Sequence, residues 1–255
     1  MDDSEIYALG GMTNSSKAMF ERRRRILSVT TRMIETEGLE GFNIRALSDR
    51  AKVAPRTIYN AFGSKEGLMA LAISRSFTRF HERIGYDARA DTIEGVMDRW
   101  LTAVLRNLEN RNFPRAVTAL YFSPTAHPMI REAIEKLGAN AFRGWFDRLF
   151  LERQLDRGVS VDLLARDMSN LQFAILHEWC SGSLSDEGLA PRLVESGLIH
   201  LSGVTRGAAR TDVRAYLTDL RGDGGMLRDG LAKARDRIAV WHSRQAQASA
   251  NHQSP

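Results

Sequence analysis

Residues 43–65 read NIRALSDRAKVAPRTIYNAFGSK, and this stretch decides the fold. Asn43 can open a first short helix, because its side-chain oxygen can accept an N–H that the opening turn leaves without a partner. Ile44, Leu47 and Ala51 follow at i, i+3 and i+7, a single apolar stripe. Lys52, Val53 and Ala54 make a three-residue connection. Pro55 suits the first position of a second helix, where its missing N–H costs nothing. On that helix Ile58 and Phe62 share a face, four apart, while Arg56, Thr57 and Asn60 point elsewhere. Gly63 can end it with a positive φ, and Ser64 can cap the helix after it. Two short helices, a tight turn and exposed polar residues on the second are the pattern of a helix-turn-helix, whose second helix enters the major groove of DNA.

Upstream, Ser16 can start a long helix that Gly38 stops, with Ile26 or Leu27, Thr30, Met33 and Ile34 facing inward. This helix is expected to pack behind the two short ones. Its arginines at 22–25 are expected close to the DNA backbone. Residues 1–16 read as a disordered leader. Downstream, a helix over about 64–84 carries Leu68, Leu71, Ala72 and Phe77 inward and links this part to the rest. The expected division is therefore a DNA-binding domain at 17–84, a second helical domain at 85–245 and a disordered tail at 246–255.

Charge follows the same division. Residues 17–65 carry eleven Lys/Arg against five Asp/Glu, within a chain of net charge +5. A basic excess beside a helix-turn-helix is the electrostatic footprint of a polyanion-binding domain.

From residue 93 onward the chain reads as helical throughout. Ile93, Val96, Met97, Trp100, Leu101, Val104, Leu105 and Leu108 recur at helical spacing. Pro114 and Pro124 bracket a helix, Pro128 starts another that Gly138 ends, and Phe142 to Phe150 form a third. One long helix holds Val161 to Trp179, a break spans 181–188, and another helix holds Leu189 to Leu201. Two more follow at about 209–221 and 226–245. No segment alternates with period two over strand length, so the fold class is all-α.

Chemistry other than DNA binding is not apparent. The hydrophobic fraction of 43% supports a real core. The single Cys180 excludes a disulfide framework, no apolar run reaches a membrane span, and the first residues lack a secretory pattern. A reduced, cytoplasmic setting is expected, with no membrane partner. No phosphate-cradling loop, HExxH or nucleophile elbow occurs. No catalytic residue, metal ligand or cofactor is therefore assigned.

The same residues carry a family resemblance. Gly38, Phe42, Ile44, Leu47, Ala51 and Val53, followed by T-I-Y-x-x-F-x-S-K-E-x-L from Thr57 to Leu68, resemble the N-terminal domain of the TetR (tetracycline-repressor-like) transcriptional regulators. The likeness covers about residues 20–70. It departs at Lys52, where the family usually has Gly, at Ala54 in place of Ser, and at Ser48 in place of a small Ala. A left-handed Lys52 would cost roughly 1 kcal/mol.

The resemblance implies an N-terminal three-helix helix-turn-helix domain joined to a larger helical domain for ligand binding and dimerisation. Arg56 and Asn60 are the candidates for base edges, since Arg pairs with guanine and Asn with adenine. Tyr59 and Lys65, carried over from the family motif, would hold phosphates, with Thr57 between the two roles; Asn43 and Arg45 complete the DNA-binding set. The helices around 161–179 and 189–201 resemble the pair that builds the family's homodimer, a four-helix bundle across a two-fold axis. A small-molecule effector is implied among Trp100, Tyr121, Phe146, Gln172 and His177. A ligand there would tilt the linking helix, and Gly67 in its first turn would ease the movement.

The reading is a homodimeric repressor of double-stranded inverted-repeat DNA, released by a small apolar or amphipathic ligand. Two alternatives stand beside it: a helix-turn-helix regulator controlled by a protein partner, and a helical enzyme with a fused DNA-binding domain.

Overall fold

The computed structural model describes residues 17–38, 41–126 and 128–251. Among them are eleven helices and no strand: α1 Lys17–Glu37, α2 Ile44–Ala51, α3 Pro55–Phe62, α4 Lys65–Ile84, α5 Ile93–Glu109, α6 Asn112–Tyr121, α7 Pro128–Leu151, α8 Val161–Cys180, α9 Asp186–Val204, α10 Gly207–Arg221 and α11 Gly225–Asn251. The all-α expectation therefore holds. The expected leader lies outside the described residues, as do 252–255 of the expected tail. Residues 246–251 continue α11, in keeping with the good helix formers Ala248 and Ala250.

The chain forms two compact units. The first takes the described residues up to His81 together with Asn110–Ile134; the second takes Glu82–Glu109 and the described residues from Glu135 onward. The sequence alone suggests a single cut near 84. Compactness instead gives α6 and the first turns of α7 to the N-terminal unit. The reason lies in α6, which packs on α1. There the Asn112 side-chain amide donates to the Glu35 carbonyl at 3.2 Å.

In the first unit α1 is the central support. Ile26, Leu27, Met33 and Ile34 are all 1% exposed or less, and they meet a core that includes Phe42, Leu47 and Ile58. Gly38 stops α1 with φ +70°. Thr31 on α1 donates to the Ala72 carbonyl on α4 at 3.3 Å, and Arg75 on α4 donates to the Arg24 carbonyl at 3.3 Å.

In the second unit α5 packs on α11, α9 lies against α8 and α10, and α10 meets α11. The core is aromatic. Trp100 meets Phe142 edge-on with centroids 5.2 Å apart, and Phe142 stacks on Phe146 at 5.7 Å. Trp179 is fully buried and donates its indole N–H to Asp186 at 2.7 Å. This bond ties the end of α8 to the start of α9. Ser185 caps α9 by accepting the Gly188 N–H, so the break expected at 181–188 is shorter than its glycines suggest.

Gly138 does not end a helix. It sits within the continuous α7, and a Cβ there would lie 2.8 Å from Ser169 Oγ and 3.0 Å from the Phe173 ring. Its role is close approach of α7 to α8, and Ser169 seals that contact by donating to the Glu135 carbonyl at 2.9 Å. Gly197 does the same for α9, where a Cβ would fall 2.3 Å from the Trp100 ring.

The C-terminal helix α11 is latched to α5. Arg237 donates to both oxygens of Asp98, to Thr102 Oγ1 at 3.1 Å and to Asp87 at 3.0 Å. Its guanidinium also lies 5.3 Å from the Tyr86 ring centre, and Arg99 lies 4.4 Å from that ring. Burial pushes the Tyr86 hydroxyl well above the usual tyrosine range, although both guanidiniums pull it down.

Candidate nucleic-acid interface

The local geometry of α2 and α3 follows from the residues at their ends. Asn43 Oδ1 accepts the Ala46 N–H at 2.8 Å and caps α2. Lys52 ends that helix in the left-handed region, φ 52° and ψ 52°, with its N–H on the Asp49 carbonyl. Ala54 makes no side-chain cap, so α3 relies on Pro55 in its first turn and on Gly63, φ 75°, at its end. Ser48, buried beneath the turn, donates its hydroxyl to the Val53 carbonyl. An alanine could not make this bond, so the departure at 48 holds the turn closed.

Lys52 is the strained position. Replacing it with glycine should raise the stability of this unit by about 1 kcal/mol, because glycine occupies the left-handed region without the Cβ clash. A denaturant midpoint that does not move would show that the neighbouring contacts already absorb the strain.

The arginines at 22–25 divide into two kinds. Arg22, Arg24 and Arg25 are exposed, Arg25 while also bonded to the protein. Arg23 is 3% exposed and donates to the Ala61 carbonyl at 2.9 Å, with its guanidinium 5.9 Å from the Phe62 ring centre. Arg25 donates to the Ala51 carbonyl at 3.1 Å. These two carbonyls lie in the last turns of α3 and α2, where helices end in partial negative charge. Arg23 and Arg25 therefore fix the ends of both short helices onto α1. Buried as it is, Arg23 drops out of the run expected along the DNA backbone.

The outward face of the motif collects polar and cationic side chains. Arg45, Arg56 and Asn60 are exposed, Tyr59 is 46% exposed and Thr57 is half-buried, while Ile58 opposite is 1% exposed. Lys65, at the start of α4, is half-buried with its ammonium 5.5 Å from the Phe42 ring centre. Ser64 caps α4 by accepting the Gly67 N–H at 2.9 Å. A Cβ at Gly67 would come 2.9 Å from the Phe62 carbonyl oxygen. Glycine there lets α4 leave close to the end of α3.

The five ligand candidates are spread over four helices, α5, α6, α7 and α8. Trp100 and Phe146 share the aromatic core through Phe142 and are 2% exposed or less. Tyr121 belongs to the other compact unit and meets Phe122 edge-on. Gln172 is half-buried on α8, and His177 on the same helix is exposed. Among the described residues no three His, Cys, Asp or Glu side chains gather as a metal site needs, and no helix is long and apolar enough to cross a membrane.

Comparison with known proteins agrees with this geometry. Residues 26–72 match the family model described as bacterial regulatory proteins, tetR family. The chain is 30% identical over 189 residues to the HTH-type transcriptional repressor KstR of Rhodococcus jostii, covering 72% of this chain and 85% of that protein. It is 28% identical over 194 residues to the KstR repressor of Mycobacterium tuberculosis, covering 74% and 84%. Its fold is similar to that of full-length TylP, a TetR regulator from Streptomyces fradiae, with a TM-score of 0.56 at 17% identity, over 87% of this chain and 92% of that one. The chain thus belongs to the TetR family of bacterial regulatory proteins, and it is a DNA-binding transcriptional regulator built on the helix-turn-helix at residues 44–62.

Proposed function

We propose that this protein is a cytoplasmic, homodimeric transcriptional repressor that binds an inverted-repeat operator through α3. The observation that carries this reading is the face of α3, with Arg56, Tyr59 and Asn60 exposed above a buried Ile58. The relatives that bear the name transcriptional repressor support the sign of regulation. Dimerisation through α8 and α9 is supported by large apolar side chains left outward on both helices, Leu163 at 54% and Ile199 at 48% exposure. Release by a small apolar or amphipathic effector rests on the family resemblance.

Two recognition helices related by a two-fold axis require half-sites about one helical turn apart, roughly 34 Å, or somewhat more. Footprinting of the purified protein on its own genome should return such a repeat, and affinity for it should fall steeply with salt. A protected site without internal symmetry would overturn the dimeric reading. If a protein partner rather than a small molecule governs release, no metabolite fraction will dissociate the complex.

A further inference from the structure

We infer that the groove walled by α5, α9, α10 and α11 is a binding site for small amphipathic cations. It encloses about 500 Å³, within the range of small-molecule sites. None of the five ligand candidates named from sequence lines it.

Its floor is apolar and incompletely covered. Met97 and Leu101 of α5 and Val194 of α9 form the buried base. Leu220 and Leu227 are half-buried at its sides, and Met226 remains 46% exposed. At one point along the groove α11 approaches α5 very closely. There Gly230 sits so near that a Cβ would lie 2.6 Å from Leu101 Cδ1.

Its rim is acidic. Five carboxylates against two cations line the groove, a local excess of three negative charges on a chain whose net charge is +5. Of the two cations, Arg237 is held by Asp87 and Asp98. Lys233 then remains in the lining against three carboxylates, Glu94, Asp219 and Asp229. Asp219 gives one oxygen to the Met226 N–H at 2.9 Å. Burial, together with Glu94, Asp212 and Asp219, pushes the Tyr216 hydroxyl up to about 12, the direction expected at the edge of a negative field. An apolar floor beneath an uncompensated acidic rim recognises a molecule that carries both an apolar body and a positive charge. A bare divalent cation does not fit, since no cluster of three ligating side chains exists among the described residues.

The test needs no DNA, so its outcome is independent of the repressor reading. Calorimetry of the full-length protein would compare decyltrimethylammonium, decanol and decanoate, three probes with the same chain, below their micellar concentrations. The expected result is one cation bound per chain, with decanoate at least about tenfold weaker. Glu94→Gln with Asp229→Asn should weaken the cation by about tenfold, and Lys233→Ala should tighten it. All three side chains are exposed, so the variants should melt with the parent protein. Equal binding of cation and anion, no binding of the cation, or an affinity indifferent to the double substitution would each overturn the proposal.

Discussion

Arg237→Met should destabilise the second unit by about 3–5 kcal/mol, the usual cost of removing one member of a buried ion pair. The Arg237 side chain is 7% exposed and the Asp98 side chain 11%. With the guanidinium gone, Asp98 would keep its charge and most of its burial but lose both donors. Asp87 contributes little, because at 95% exposure its attraction is screened by water. The double variant Arg237→Met with Asp98→Leu separates the causes. If the loss comes from the stranded carboxylate, the double variant should recover most of it, since two charges of similar volume have been exchanged for apolar groups. Denaturant unfolding of both variants measures this. Equal destabilisation would place the loss in the packing of the arginine stem instead.

Arg56→Ala should lower affinity for the operator by about 1–3 kcal/mol and reduce the preference for operator over random DNA by a similar factor, because an arginine on a base edge carries sequence information. Lys65→Ala should weaken both DNAs together. Lys65 sits at the start of α4 with its ammonium near the Phe42 ring, and a phosphate contact there is blind to sequence. Competition binding against operator and random duplexes at one fixed salt concentration reads both effects. Equal losses on the two DNAs for Arg56→Ala would remove it from the base-reading role.

The helix-turn-helix was legible because its signals are local. Asn43, Pro55, Gly63 and Ser64 act within four residues of their own positions, through caps and fixed dihedrals, and the structure places each at a helix end. Gly138 misled for the opposite reason. Glycine marks a helix stop only when nothing distant requires a small residue, and here Ser169 and Phe173 do. Arg23 reads as surface charge because the carbonyl it holds lies 38 residues away. The groove between α5 and α11 was invisible in sequence, since the two helices are joined across more than a hundred residues and each alone shows only an amphipathic face. Whether Trp100 and Phe146 line a pocket or fill a core does not follow from periodicity, which reports which way a side chain points and not whether a partner already fills the space.

The latch between α5 and α11 also sets a timetable for synthesis. Asp98 precedes Arg237 by 139 positions. At bacterial translation speeds of about 5–20 residues per second, that separation is roughly 7–28 s. Throughout that interval the nascent chain carries α5 with Asp98 lacking its Arg237 partner and Leu101 not yet met by Gly230, while the last residue of the N-terminal unit is already made at 134. The DNA-binding end of this protein can thus be complete on the ribosome well before the other end can close. Premature termination within α11 would release a chain able to dock on DNA but left with an open apolar seam, a substrate for chaperones and proteases.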